Sequence, residues 1–90
     1  MDVKYLNYIL AIANRHNMTK AAEDLFVSQS SLSQYLSRLE QELGTPLFIR
    51  SKGELSLTSA GVLYVEAAQK VVKIQKDLYQ NIAALSQKGR

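Results

Sequence analysis

Apolar and polar residues alternate with the spacing of α-helices along the first part of the chain. From Val3 to about Asn14, apolar residues recur three or four positions apart, which predicts an amphipathic helix. Polar residues then interrupt the pattern, and Thr19 is the predicted N-cap of a short second helix. Its apolar positions include Ala21 and Ala22, which are small enough to let another helix approach closely. The pattern therefore predicts a short helix that packs tightly against a neighbour.

A third helix is predicted between its N-cap Ser28 and Gly44, a residue suited to the left-handed conformation that ends helices. Pro46 follows closely, as is typical after a helix end. Leucines recur along this helix at steps of four, three and four, which places them on one side. These leucines and four other residues form the predicted core: Leu6, Ile9, Leu25, Leu32, Leu36, Leu39, Leu43 and Phe48.

The pattern changes to alternation between residues 47 and 57, around a polar tip that contains Gly53. Such alternation predicts a short β-hairpin with glycine in its turn. A last helix is predicted from the N-cap Thr58 to Leu85, about 28 residues and roughly 40 Å at about 1.5 Å per residue. This helix is too long for the core to cover, so we expect its apolar stripe to pair with a second copy of the chain. The stripe comprises Tyr64, Ala67, Val71, Ile74, Leu78, Ile82 and Leu85.

Three short helices followed by a hairpin are the element order of a winged helix-turn-helix. We therefore predict a mainly α fold in which residues 1–57 form the winged helix-turn-helix domain, with a β-hairpin wing, and residues 58–90 form a linker (dimerisation) helix and a C-terminal tail. In this architecture the third helix enters the major groove of DNA, and the wing reaches the flanking backbone or minor groove. The glycine usual in the turn between the second and third helices is replaced by Phe26.

A series of short motifs resembles LysR-type bacterial transcriptional regulators. They occur in the family's order and spacing: Met18–Ala22, Leu25, Val27–Gln29, Leu32–Ser33, Leu39–Glu40, Leu43–Gly44, Pro46–Phe48, Arg50 and Leu57–Gly61. The resemblance covers residues 1 to about 85 and implies a sequence-specific DNA-binding domain. It also implies a cytoplasmic homodimer paired through the linker helix, which binds an inverted-repeat operator. A small-molecule effector would act only through a C-terminal domain that lies outside this chain.

The same resemblance implies which residues contact DNA. Gln29 and Ser33 would face the duplex from the third helix, and Arg50 would serve the wing. A glutamine can bond an adenine edge through two hydrogen bonds, and an arginine suits either guanine or phosphate. The full set of candidate DNA-binding residues is Thr19, Lys20, Ser28, Gln29, Ser30, Ser33, Gln34, Arg38, Arg50 and Lys52.

The charge distribution refines this expectation. The net charge of +3 and the pI of about 9.3 suit a polyanionic partner only weakly. Four basic residues stand against five acidic ones up to Pro46, and seven against three from Leu47 onward. The N-terminal half would therefore meet DNA with placed polar groups and helix N-termini rather than with a general positive field.

Several other classes of protein are disfavoured. The chain has no cysteine, a single histidine (His16) and no glycine-rich phosphate loop, so we expect no metal site, no cofactor and no enzymatic activity. No apolar run approaches the roughly 20 residues that a membrane span requires. A protein-interaction or dimerisation module of the winged-helix type remains the alternative, because winged helices and long amphipathic helices also bind proteins.

Overall fold

The computed structural model describes residues 3–88. Along these residues run three short helices, an antiparallel hairpin and one long helix: α1 (Val3–Arg15), α2 (Met18–Leu25), α3 (Gln29–Leu43), β1 (Phe48–Ser51), β2 (Glu54–Leu57) and α4 (Ser59–Lys88). The predicted winged helix-turn-helix with a long final helix is confirmed. Residues 1, 2, 89 and 90 of the predicted domain ranges lie outside the described residues.

The N-caps follow the prediction with one correction. Ser28 caps α3, where its hydroxyl accepts a hydrogen bond from the Ser31 amide at 3.1 Å. The predicted cap Thr19 is wrong, because α2 begins at Met18, two residues earlier than predicted, and Asn17 caps it. Asn17 has the extended backbone that a cap requires (φ −152°), and its side-chain oxygen accepts from the Lys20 amide at 2.8 Å. Thr19 therefore lies in the first turn of α2.

Helices α2 and α3 both end in the left-handed conformation. Gly44 ends α3 with φ 73°, as predicted. Phe26 ends α2 with φ 58°, although left-handed backbone costs an ordinary residue roughly 1 to 2 kcal/mol. The turn is held by hydrogen bonds from the Phe26 amide to the Glu23 carbonyl and from the Val27 amide to the Ala22 carbonyl. The Phe26 side chain is 95% exposed.

The core lies where α1, α2, α3 and the hairpin meet. Most of the predicted core residues are buried, and Leu25 and Leu39 are half-buried against the same cluster. Leu43 was wrongly assigned to the core, since it is 46% exposed. It is the last residue of α3, and the chain turns away from it at Gly44.

The hairpin forms with the predicted glycine in its turn. Lys52 (φ 53°) and Gly53 (φ 80°) occupy its two central positions, and positive φ at both is the signature of a type I′ turn. Phe48 pairs with Leu57, and Arg50 pairs with Leu55. Phe48 and Leu55 are buried, so this side of the hairpin faces the core.

Helix α4 begins in contact with the body and then leaves it. Thr58 caps it as predicted, accepting from the Gly61 amide at 3.0 Å, and its backbone amide donates to the Leu47 carbonyl at 3.0 Å. The helix packs on α1 and β2, with Ala68 fully buried. Beyond Val72 its apolar side chains are exposed, and the domain measures 56 × 25 × 20 Å. Among the helices described, none is both long and apolar enough to cross a membrane.

Candidate nucleic-acid interface

The candidate residues of α3 form one exposed surface, here called the α3 face. Because Leu32 and Leu36 are buried in the core, the opposite side of the helix faces solvent. The α3 face consists of Gln29, Ser30, Ser33, Gln34 and Arg38, all exposed except for the half-buried Ser33. The structure thus brings the five candidates of α3 together.

The start of α3 has the polarity that favours anions. The N-terminal end of a helix carries partial positive charge and free amide donors. The first turns of α2 and α3, both fully described, contain no acidic residue that would compete for it. Ser28 is committed to the cap, and its hydroxyl also donates to the Ser31 hydroxyl at 2.8 Å. A phosphate would therefore meet amides here rather than the Ser28 side chain. Thr19 and Lys20 are exposed on the first turn of α2.

The wing presents two basic side chains in different ways. Lys52 is exposed in the turn itself. Arg50 is exposed one residue before the end of β1, close to the turn, on the side of the hairpin that carries Phe48 and Leu55. Ile49 lies on the other side and is 54% exposed. Arg50 and Lys52 thus stand on a separate element from the α3 face.

One basic residue near the helix-turn-helix is held by an acid. Arg15 Nε and Nη2 donate to the two carboxylate oxygens of Asp24 at 2.7 and 2.9 Å. This hydrogen bonding holds the pKa of Asp24 below its ordinary value and raises that of Arg15. Each charge of this pair is offset by its partner, and the exposed Glu23 also acts on Arg15. No periodicity in the sequence indicated the pair.

Two further polar residues fix the wing, and sequence reasoning missed both roles. His16 holds β2, because its carbonyl accepts from the Leu55 amide at 3.0 Å and its Nδ1 lies 3.0 Å from the Leu55 carbonyl. A carbonyl oxygen only accepts, so Nδ1 carries the proton. Glu40 ties α3 to β1, since its carboxylate accepts from the amides of Leu47 and Phe48. The wing is therefore anchored to both α1 and α3.

The predicted dimerisation stripe is divided by the fold. Tyr64 is half-buried and packs against the core, and Val71 is half-buried. Leu63 was missed although it precedes Ala67 by four residues, and it is 71% exposed. The remaining positions of the prediction are exposed: Ala67, Ile74, Leu78, Ile82 and Leu85. We call Leu63 together with Ala67, Val71, Ile74, Leu78, Ile82 and Leu85 the α4 stripe.

Comparison with known proteins places this architecture in a family. Residues 3–62 match the family described as "Bacterial regulatory helix-turn-helix protein, lysR family". The chain is 42% identical over 87 residues to the "Uncharacterized HTH-type transcriptional regulator YcgK" of Bacillus subtilis (strain 168). This match covers 97% of the chain and 27% of YcgK, so the chain spans about a quarter of that relative's length.

Two similar solved structures are DNA complexes. The "CbnR_DBD-DNA complex" superposes with a TM-score of 0.83 at 31% identity, covering 96% of this chain and 99% of the other. The "BenM_DBD/benA site 1 DNA Complex" superposes with a TM-score of 0.86 at 27% identity, covering 94% and 99%. The long final helix is thus part of an architecture that these two domains share.

Proposed function

Because the chain belongs to the lysR family of bacterial regulatory helix-turn-helix proteins, we propose that it binds double-stranded DNA with sequence specificity. Helix α3 enters the major groove, and the β1–β2 hairpin contacts the flanking backbone or minor groove. YcgK is named as a transcriptional regulator, and the similar CbnR and BenM domains are bound to DNA. The observation that carries the proposal is the exposed α3 face, which combines uncharged hydrogen-bonding side chains with one arginine. The first turn of α3, next to this face, contains no acidic residue.

The α3 face divides between base reading and backbone contact. Gln29 bonds a base edge, because its amide can both donate and accept, and each such pair discriminates by about 1 to 3 kcal/mol. Ser33 is smaller and tolerates several bases, whereas Gln34 and Arg38 reach either bases or phosphates. The first turns of α2 and α3 hold phosphates through their amides, with help from the side chains of Thr19, Lys20 and Ser30, whereas Ser28 contributes through the cap that begins α3.

The wing adds affinity more than specificity. Arg50 and Lys52 are its basic residues, and the exposed Glu54 opposes them. Contacts with phosphate carry no base information but release counterions, so they weaken as salt rises. We therefore assign Arg50 and Lys52 to backbone or minor-groove contact.

The chain binds as a symmetric pair joined along the α4 stripe. Ile74 is 68% exposed and Leu85 is 70% exposed, which leaves an apolar ribbon on the part of α4 that extends past the body. A two-fold partner would cover that ribbon with its own. Such a pair presents two α3 helices to one side of the duplex, and the operator is then an inverted repeat with half-sites a whole number of turns apart.

The whole protein acts in the cytoplasm by binding rather than by catalysis. Its small-molecule effector is sensed by a C-terminal domain outside these residues. Membership of the lysR family supports both proposals.

Selection of bound sequences from a random duplex pool tests the proposed function. The expected result is an enriched inverted repeat, with affinity that falls steeply as salt increases. A parallel selection with the Gln29→Ala variant should lose preference at one position in each half-site. If no sequence is enriched over a pool carried through the selection without protein, the proposal is contradicted.

A protein-interaction module is the second candidate, and one observation favours it. Phe26 combines a left-handed backbone with a side chain that is 95% exposed. An exposed aromatic side chain is a common anchor in protein interfaces. This alternative predicts that the chain binds a protein partner with an affinity that does not depend steeply on salt. The selection experiment above separates the protein-interaction module from the DNA-binding domain.

A further inference from the structure

Glu40 accepts hydrogen bonds from every backbone amide of the corner that joins α3 to β1. Its carbonyl accepts from the Gly44 and Thr45 amides at 2.9 and 3.2 Å. Its carboxylate accepts from the amides of Leu47 and Phe48. The proline between Thr45 and Leu47 has no amide to donate. The course of the chain from α3 into the wing therefore depends on one residue.

The Glu40 side chain makes both of its hydrogen bonds through a single oxygen. Oε2 accepts from the Leu47 amide and, at 3.2 Å, from the Phe48 amide. Glu40 is half-buried, and Leu47 and Phe48 are both buried. An amide that lost the carboxylate here would have little access to water, and leaving a buried donor unpaired is costly. The two bonds therefore hold the start of β1 firmly against α3.

These bonds link α3 directly to the wing. Helix α3 packs mainly on α2, and β1 lies mainly beside β2. The other anchors of the hairpin are on β2, which packs on α1 and α4 and is bonded to His16 through Leu55. Without the Glu40 carboxylate, the hairpin would stay attached through β2 and through the Phe48 side chain in the core. Its direction relative to α3 would no longer be fixed.

We propose that Glu40 is a positioning residue through which α3 and the wing bind DNA as one rigid unit. The inference rests on the proposed function, since it requires both elements to contact the same duplex. With the wing at a fixed angle, entry of α3 into the major groove already places Lys52 beside the flanking backbone, so the second contact costs little conformational freedom. A wing that pivots gives up that freedom on binding, and the Lys52 contact is weakened.

Positioning by Glu40 can be separated from the effect of its charge. Glu40→Gln removes the charge but keeps an oxygen that can accept from both amides, because only Oε2 is used. Glu40→Asp keeps the charge, but its side chain is one methylene group shorter, which withdraws the carboxylate from the amides. If Glu40 acts by position, Glu40→Gln resembles the unmodified chain and Glu40→Asp does not. If it acts by repelling phosphate, the two variants exchange places.

The experiment measures what Lys52 contributes to DNA binding in each Glu40 background. The 90-residue chain with Glu40, Glu40→Gln, Glu40→Asp or Glu40→Ala is prepared with and without Lys52→Ala. Fluorescence anisotropy then gives the affinity for the selected duplex over a range of salt concentrations. Glu42→Ala is the matched control, because Glu42 is exposed on α3 and its removal deletes a charge without touching the corner. Gln29→Ala is added to each background as a probe of the α3 face, and circular dichroism tests that each variant is folded.

The expected result is a contribution from Lys52 that depends on the reach of residue 40. Lys52→Ala should shallow the slope of log affinity against log salt by about 0.9 per bound chain in the unmodified chain, in Glu40→Gln and in Glu42→Ala. In Glu40→Asp and Glu40→Ala it should shallow the slope by about half of that or less, whereas independent sites would give equal changes. Gln29→Ala should relax the same base position in every background.

Three results overturn the inference while leaving the proposed function in place. Lys52→Ala might shallow the slope equally in every background, or Glu40→Asp might keep the Lys52 contribution while Glu40→Gln loses it. The third is a Glu40→Asp variant that is unfolded or that also loses the Gln29 contribution, because Glu40 would then support the whole domain. If Lys52→Ala leaves the slope unchanged in the unmodified chain, the wing does not reach the backbone, and that part of the proposed function fails together with the inference.

Discussion

Gly61 of α4 lies close to the backbone of Leu47 and to the Leu57 side chain of β2, and a side chain at this position should destabilise the domain. A Cβ atom in Gly61→Ala would overlap the backbone oxygen of Leu47 and would lie 2.8 Å from Cδ2 of Leu57. Favourable carbon contacts are at about 3.5 to 4.0 Å. Leu47 cannot retreat freely, because its carbonyl accepts the Thr58 amide at the start of α4.

The magnitude follows from three contributions. Overpacking a well-packed site costs about 1 to 3 kcal/mol. Losing the Thr58–Leu47 hydrogen bond costs about 1 kcal/mol more. Alanine favours a helix over glycine by about 1 kcal/mol, which offsets part of the cost. The net destabilisation is about 2 kcal/mol, which lowers the melting temperature of a domain this size by roughly 8 to 16 °C.

Thermal and urea unfolding followed by circular dichroism measure this change. Ser59→Ala, an exposed substitution in the same first turn of α4, serves as the control and should change stability by less than about 0.5 kcal/mol. If Gly61→Ala is as stable as the unmodified domain, the close packing of α4 on Leu47 does not contribute to the stability of the domain, and the reasoning is refuted.

Three further predictions concern binding. Gln29→Ala should lose about 1 to 3 kcal/mol of binding free energy on the selected site and relax the preference at one base position, whereas Arg50→Ala should weaken binding to all duplexes alike. Fluorescence anisotropy on matched and mismatched duplexes measures both effects. Equal losses on both kinds of duplex in the two variants would contradict the assignment of Gln29 to a base and Arg50 to the backbone. Lys52→Ala should shallow the slope of log affinity against log salt, and an unchanged slope would mean that the tip does not reach the backbone. Joint replacement of Val71 and Leu78 by lysine should give a folded monomer in sedimentation with lower affinity for the inverted repeat. A dimer that survives this double replacement would show that pairing does not use the α4 stripe.

The order and type of the elements could be predicted because they depend on local patterns. The leucine spacing of α3, the left-handed stop at Gly44 and the caps at Ser28 and Thr58 all act within a few residues. Thr19 failed as a cap because Asn17 has the same capability and lies two residues earlier. Only the backbone angle at Asn17 decides between them. Leu43 failed because periodicity does not show where the body that a helix packs against ends.

The candidate site was predictable in outline for the same reason. Once Leu32 and Leu36 are assigned to the core, the other side of α3 must be exposed, and the α3 face is found there. The anchors of the wing were not predictable, because His16 and Leu55 are 39 residues apart and one of their two contacts joins backbone groups that every residue carries. The roles of single side chains toward DNA stay predictions.

The placement of the tyrosines gives the protein a built-in optical reporter. The chain contains five tyrosines and no tryptophan, so its aromatic absorption and emission come almost entirely from tyrosine. The rings of Tyr5, Tyr8 and Tyr35 are in mutual contact, Tyr64 is half-buried against the core, and Tyr79 is exposed further along α4. In a Tyr79→Phe background, near-ultraviolet dichroism and tyrosine fluorescence would therefore monitor the junction of α1, α3 and α4 alone. Loosening of that junction could be followed without a label, separately from fraying of the far end of α4.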